Sequence, residues 1–255
     1  MRSLSLYVEG HSLVHRVDPI TKLFYVVVAV AVAYVAPGLA PALVFLGVSL
    51  ALLAGGRLLT RAWPVFAMTG FIILTVFIIQ GLVNPANRVP VLRLGPVAFY
   101  REGLLFALGI AVRLYNLLAA MTVLILSTRP SDLIDALVRR GLPPKFGYVM
   151  SSVLQIIPAM AAATSTILDA QRARGMETEG RLSTRLRAYI PLMGPLVTSS
   201  LIATQERAMA LEVRAFGAKG KRSFLNEEPT VPYAVPVRCL LAALLAAAVV
   251  WRLFA

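Results

Sequence analysis

Residues 62–83 read AWPVFAMTGFIILTVFIIQGLV, a run without one charged side chain. As a helix rising 1.5 Å per residue, such a run covers about 30 Å, the thickness of a bilayer's hydrocarbon core. The rest of the chain is of the same character. Of its 255 residues, 58% are hydrophobic and 15% charged, where soluble domains have about 45–50% and ~25%. Mean hydropathy is +0.78. The chain is a polytopic membrane protein, long enough for about five or six spans of ~20 residues and one modest polar region.

Further apolar runs occupy 23–36, 39–54, 103–126 and 236–254. The first two are short for a span and flank the turn Pro37-Gly38. Arg113 and Asn116 interrupt the run 103–126, and an arginine at that depth must face protein or a polar cavity. Between the third and fourth runs, NPANRVPVLRLGPVAFYREG reads as a polar, proline-containing loop. Orientation follows from charge. The chain carries 25 Lys+Arg against 12 Asp+Glu, a net +13, and cytoplasmic segments collect Lys and Arg. Arg2, Arg16, Lys22, Arg57, Arg61 and the basic stretch 128–235 belong inside, against Arg88, Arg93 and Arg101 outside. The expected topology is N-in, C-out with five spans. The excess positive charge is explained by this rule without nucleic acid. An acidic protein partner is a second cause that stays open.

Two uncharged stretches, 146–168 and 188–205, are long enough to raise the question of further spans. A hairpin crossing would put Arg172, Arg174, Arg181, Arg185 and Arg187 outside, against the positive-inside rule. Both stretches carry scattered Ser and Thr, and Pro158, Pro191 and Pro195 are expected to bend them. They read as long amphipathic helices at or just below the inner membrane face, with Phe146, Met150, Val153, Ile157, Met160 and Leu168 on one stripe of the first. A shorter helix introduces them in STRPSDLIDALVRRGLPP. Ser127, Thr128 or Ser131 can cap it, Pro130 suits its first turn, and Gly141 with Pro143-Pro144 stops it. The fold class is therefore all-α, with membrane helices in 1–127, amphipathic helices in 128–230 and a last span in 231–255.

The sequence excludes much chemistry. The Gly-Lys of GAKGKRS lacks the P-loop glycine, since Ala215 stands there, and Arg222 occupies the Ser/Thr position. Any ATP hydrolysis must reside on another chain. His11 and His15 are four apart, but Ser12 follows His11, so the HExxH pattern is absent. No metal site or cofactor is expected, and no catalytic constellation lies within the spans. The lone Cys239 excludes an intramolecular disulfide. Residues 1–22 carry Arg2, Glu9, Arg16, Asp18 and Lys22 without an early apolar core, so no cleaved leader is expected. Asp18 precedes Pro19 and is expected to cap the first span.

Two arginine knobs remain, Ala173-Arg174-Gly175 and Arg214-Ala215-Phe216-Gly217. Each ends a long amphipathic stretch. Singly, each reads as a helix terminus, with arginine favoured by the dipole and a left-handed residue after it. As a pair on one side of the membrane they suit insertion into two equivalent acidic protein pockets, because a guanidinium fork binds carboxylates bidentately.

These residues bear a family resemblance. HSLVHRVDPITKL, STRPSDLIDALVRRGLPPKFGYVMSSVLQIIPAM and AQRARG, in this order and spacing, resemble the transmembrane T component of energy-coupling factor transporters. The resemblance covers nearly the whole chain. The family's second motif has Arg-Gly before an aromatic, whereas here alanine stands at 215. The resemblance implies an importer of a vitamin or transition-metal ion in a prokaryotic cell membrane, in which this chain is the scaffold. It implies two ABC-type ATPase partners docked by the helix ends at Ala173, Arg174, Gly175, Arg214, Ala215, Phe216 and Gly217. It also implies one small substrate-binding membrane subunit, held by the helix bodies through Met150, Val153, Ile157, Met160, Leu192 and Leu196. Two rival readings stay open. A stand-alone permease or channel would use Arg113, Asn116 and Gln80, and an intramembrane enzyme would need a catalytic group the sequence does not display.

Overall fold

A computed structural model describes residues 7–8, 10, 12–86, 88–94, 97–176, 182–217 and 233–254. Its elements in chain order are α1 (Leu13–Arg16), α2 (Pro19–Val35), α3 (Ala40–Gly55), α4 (Leu59–Val83), β1 (Pro90–Leu94), β2 (Val97–Tyr100), α5 (Arg101–Ser127), α6 (Pro130–Arg139), α7 (Pro144–Ala173), α8 (Leu182–Val213) and α9 (Ala234–Phe254). The chain is an all-α, multi-pass membrane protein. Helices α4, α5, α7 and α9 are long and apolar enough to cross a bilayer, and α2 and α3 are shorter apolar helices. The elements fall into two compact units, one holding α7 and α8, the other α1–α6, the hairpin and α9.

Helix α5 is the spine of the second unit and packs on α2, α3 and α4. The reason is the size of its side chains. Gly103, Ala107 and Ala111 recur every fourth residue and are buried, followed by buried Val112, Asn116, Ala119, Ala120 and Val123. Small residues at this spacing let helix backbones approach closely, which drives packing where lipid removes the hydrophobic incentive. Val28, Ala29, Val32 and Ala33 of α2 are buried in the same way.

The intramembrane polar groups go to helix backbone. Asn116 is 0% exposed, and its Nδ2 donates to Ala29 O at 2.8 Å. The half-buried Arg113 donates from Nε to Ala33 O at 3.1 Å, and Arg252 Nη1 donates to Val35 O at 3.3 Å. Ala33 and Val35 lie in the last turn of α2, whose carbonyls lack intrahelical partners. Arg113 therefore faces protein, as a costly charge at depth must. Gln80 accepts from Asn84 Nδ2 at 3.2 Å.

At the opposite end of α2, the buried Lys22 donates from Nζ to Ser127 O (2.9 Å) and Thr128 Oγ1 (3.3 Å) at the end of α5. Asp18 pairs there with Arg238 of α9. Contacts at both ends make α2 and α9 parallel and α5 antiparallel to them, so α5 ends and α9 begins on one face of this unit.

Three local expectations change. The segment after α4 is not an irregular loop but an antiparallel hairpin, β1 on β2, with an irregularity between Pro90 and Leu92. Its β-branched, leucine and aromatic residues suit a pleated surface. Phe99 of β2 sits where a Cβ on Gly81 of α4 would lie, 2.8 Å from its Cδ1. Second, Asp18 occupies the N-cap position with Pro19 at N1, yet its side chain makes no capping bond. Its carboxylate is taken by guanidinium groups instead. Third, the N-cap of α6 is Arg129 and makes no side-chain capping bond. Ser127 Oγ bonds Val123 O at 2.6 Å, and Thr128 accepts from Lys22.

Replacing Asn116 with alanine removes a fully buried interhelical hydrogen bond and opens space in a close-packed row. Its expected cost is about 1–2 kcal/mol, measured as a lower thermal midpoint by size-exclusion monitoring of the detergent-solubilised protein.

Candidate docking site at the paired helix ends

Helices α7 and α8 are 30 and 32 residues long. Both run unbroken through their prolines, Pro158 in one and Pro191 and Pro195 in the other. Several of their hydroxyls bond backbone within the same helix. Thr164 bonds Met160 O at 2.7 Å, Ser200 bonds Val197 O at 2.8 Å and Thr204 bonds Ser200 O at 2.7 Å. A back-bonded hydroxyl has its donor satisfied without water. Thr164 therefore carries no unmet donor on α7.

The two helices end alike. After Ala173, Arg174 is the C-cap of α7 and Gly175 takes φ +86°. The Gly175 amide donates to Arg172 O at 2.9 Å and the Met176 amide to Gln171 O at 3.1 Å. This pair of bonds, around a left-handed residue, is a Schellman motif. After Val213, Arg214 stands at the C-cap position of α8 and Ala215 takes φ +54°. The Ala215 amide donates to Glu212 O and the Phe216 amide to Leu211 O, both at 2.9 Å. Alanine thus adopts the backbone form that glycine adopts at the other end, and the arginine precedes it in both.

Arg174 and Arg214 are exposed, and neither forms an ion pair among the described residues. Each guanidinium stands near the negative end of its own helix dipole, where a cation is favoured by about 0.3–1 kcal/mol. The nearby Arg172 pairs with Asp169 at 3.7 Å. The ring of half-buried Phe216 packs on Tyr148 of α7, with centroids 5.2 Å apart. Since Tyr148 lies one turn inside the start of α7, the helices run antiparallel. Arg214 is therefore near one end of the pair and Arg174 at the other, some 40 Å apart at 1.5 Å per residue.

Of the other residues singled out, Gly217 is exposed, whereas Phe216 is an anchor between the helices. Along the helix bodies, Met150, Val153 and Ile157 are exposed with Phe146 on one stripe of α7. Met160 and Leu196 are half-buried. Leu192 is buried at 3% exposure, so it offers no open surface. Sequence reasoning missed Tyr148, which has no signal before the pairing is known. It also missed Arg238. That one had a signal, since a lone arginine inside an apolar run calls for a partner.

The structure is thus an all-α multi-pass membrane protein with two matched helix ends, each carrying an exposed arginine. The family described as cobalt transport protein, CbiQ, matches residues 10–223. The energy-coupling factor transporter transmembrane protein EcfT of Bacillus subtilis (strain 168) is 30% identical over 86% of each chain. EcfT of Heliobacterium modesticaldum (strain ATCC 51547 / Ice1) is 33% identical over 86% of each chain. EcfT of Bacillus selenitireducens is 32% identical over 86% of this chain and 85% of its own. The chain belongs to this family and is an EcfT/CbiQ-like T component of an energy-coupling factor transporter.

The left-handed positions give a paired test. A Cβ at Gly175 meets nothing within 4 Å, so Gly175→Ala costs conformational energy alone, about 1 kcal/mol. Ala215→Gly relieves a similar amount. Amide hydrogen exchange should accelerate at Met176 in the first variant and slow at Phe216 in the second.

Proposed function

We propose that this T component is the scaffold and energy-coupling subunit of an ATP-driven importer of a vitamin or transition-metal ion. The observation that carries the proposal is the pair of matched Schellman ends, each presenting an exposed arginine, at opposite ends of one antiparallel helix pair. A dimeric partner with two equivalent pockets is complementary to that arrangement. Two ABC-type ATPase subunits would each receive one end, Ala173, Arg174 and Gly175 in one, Arg214, Ala215 and Gly217 in the other, with Phe216 bracing the second from behind. Each guanidinium would bond acidic groups bidentately in a desolvated groove.

Residues 128–230 form the coupling region and face the cytoplasm, with 1–127 and 231–255 as the membrane portions. The charge distribution supports this orientation, N-in and C-out. The end of α5 and the start of α9, which lie on one face of the membrane unit, agree with it. The exposed stripe of Met150, Val153 and Ile157 would hold the small substrate-binding membrane subunit, with Met160, Leu192 and Leu196 supporting it from within. Closure of the ATPases would drive the two helix ends together or apart, and the bound subunit would follow. Such coupling requires an element that both sites bias, and a helix pair gripped at both ends is one. The stand-alone permease loses its motive, because Arg113, Asn116 and Gln80 are all bonded to protein groups.

Replacing Arg174 and Arg214 together by alanine should abolish co-purification of the ATPase subunits in mild detergent while the chain still accumulates in the membrane. Each single replacement should weaken docking by about 2–3 kcal/mol, typical of losing one partner of a desolvated charge pair. Undiminished co-purification with the double variant would sink the proposal.

A further inference from the structure

The segment 141–227 is an insertion in the membrane unit, and both of its roots meet one carboxylate. The chain leaves through the end of α6, where Arg140 is the C-cap and Gly141 follows at φ +111°. It rejoins ahead of α9, whose first turns carry Arg238. Asp18 at the start of α2 is 4% exposed. Its Oδ2 accepts from Arg140 Nη2 at 3.3 Å, from Thr21 Oγ1 at 3.4 Å and from Arg238 Nη2. Arg238 is held a second time, through Nε to Thr21 Oγ1 at 2.8 Å. The arms differ in exposure, since the Arg140 side chain is 36% exposed and that of Arg238 26%.

A helix cap needs none of this. Asp18 makes no capping bond, and a carboxylate is costly to bury unless it is paired. The groups that pair it come from residues more than a hundred positions away, one on each root. The chain of α7 and α8 is continuous with the membrane unit at these two roots, so a movement of the helix pair bears on the membrane helices through them. Loose roots would absorb it.

We infer that Asp18 is a positioning residue for energy coupling: it locks the two roots of the coupling segment, at Arg140 and Arg238, into one rigid point on α2. This rests on the coupling role proposed above. The test uses the full complex with its ATPase partners in lipid nanodiscs and two spin-label pairs. One joins Cys239, which is exposed, to Asp135→Cys on α6 and reports the lock. The other joins Cys239 to Ala161→Cys on α7 and reports motion between nucleotide-free and ATP-vanadate states.

Asp18→Asn should retain the ATPase subunits and their ATP hydrolysis, broaden the first distance distribution, and lose the nucleotide-dependent shift of the second. Asp18→Glu, which keeps the charge, should restore both. A wild-type width and full shift in Asp18→Asn would overturn the inference, as would equal failure of the Asn and Glu variants, which is the mark of simple packing. Should Asp18→Asn not accumulate, Arg140→Ala removes only the more exposed arm, and an unaltered shift in it would also overturn the inference. Absence of any shift in the wild-type complex would overturn the coupling role itself, and the width of the first pair would then still tell whether the lock exists.

Discussion

Every helix ends in carbonyls that its own ladder cannot satisfy, and in or near a bilayer water is not there to take them. Much of this structure answers that constraint. The last turn of α2 receives Arg113 and Arg252. The last residue of α5 receives Lys22. Helix α3 closes on itself: Arg57 takes φ +54°, its amide bonds Ala54 O, and the Leu58 amide bonds Leu53 O. The buried Leu53 and Leu58 then seal that end within one apolar cluster. Helices α7 and α8 close in the same way. Charged side chains that look like intrusions into a membrane sequence are thus donors for helix ends, and each one ties its helix to a neighbour.

Two groups of basic residues stand apart on this ground. Arg113, Arg252, Lys22, Arg140 and Arg238 have protein acceptors within the membrane unit, and their energy is spent on holding α2, α5, α6 and α9 together. Arg174 and Arg214 have no such acceptor among the described residues, although their helix ends are already satisfied by backbone amides. Their guanidinium groups are not needed for capping. A cation left over after the local hydrogen bonding is complete is available to a second molecule, and this is the ground for the docking role proposed for Arg174 and Arg214.

The membrane class, the main apolar helices and the two helix ends were legible in the sequence, because each depends on local composition. Uncharged runs give spans, Pro130 and Pro144 open helices, and Gly175 ends one. The hairpin after α4 was less legible. Its prolines and arginines look like loop residues, and its pairing is fixed by a partner strand and by the space Gly81 leaves for Phe99. Asp18 was the clearest failure. Its neighbour Pro19 made capping the natural reading, while the two arginines that claim the carboxylate lie at 140 and 238, beyond any local pattern.

Ala215 brings the two scales together. From sequence it is a departure, since a residue with a Cβ is disfavoured at φ +54°. The surroundings explain how it persists. At the α7 end, glycine enters the left-handed region without strain, and Met176 follows it half-buried. At the α8 end, Phe216 is fixed on Tyr148, and a chain that must bring that ring back onto α7 has to turn at 215 whatever residue stands there. Packing of the aromatic ring thus imposes the conformation that glycine would have adopted freely. The consequence for Arg214 is the one that matters. The turn at 215 carries the chain back toward Tyr148 of α7 and leaves the C-cap arginine exposed, as the turn at Gly175 leaves Arg174. The same pair of closing bonds is reached by conformational freedom at one end and with the support of tertiary packing at the other, so the alanine changes the energy of the α8 end while its closing bonds are kept.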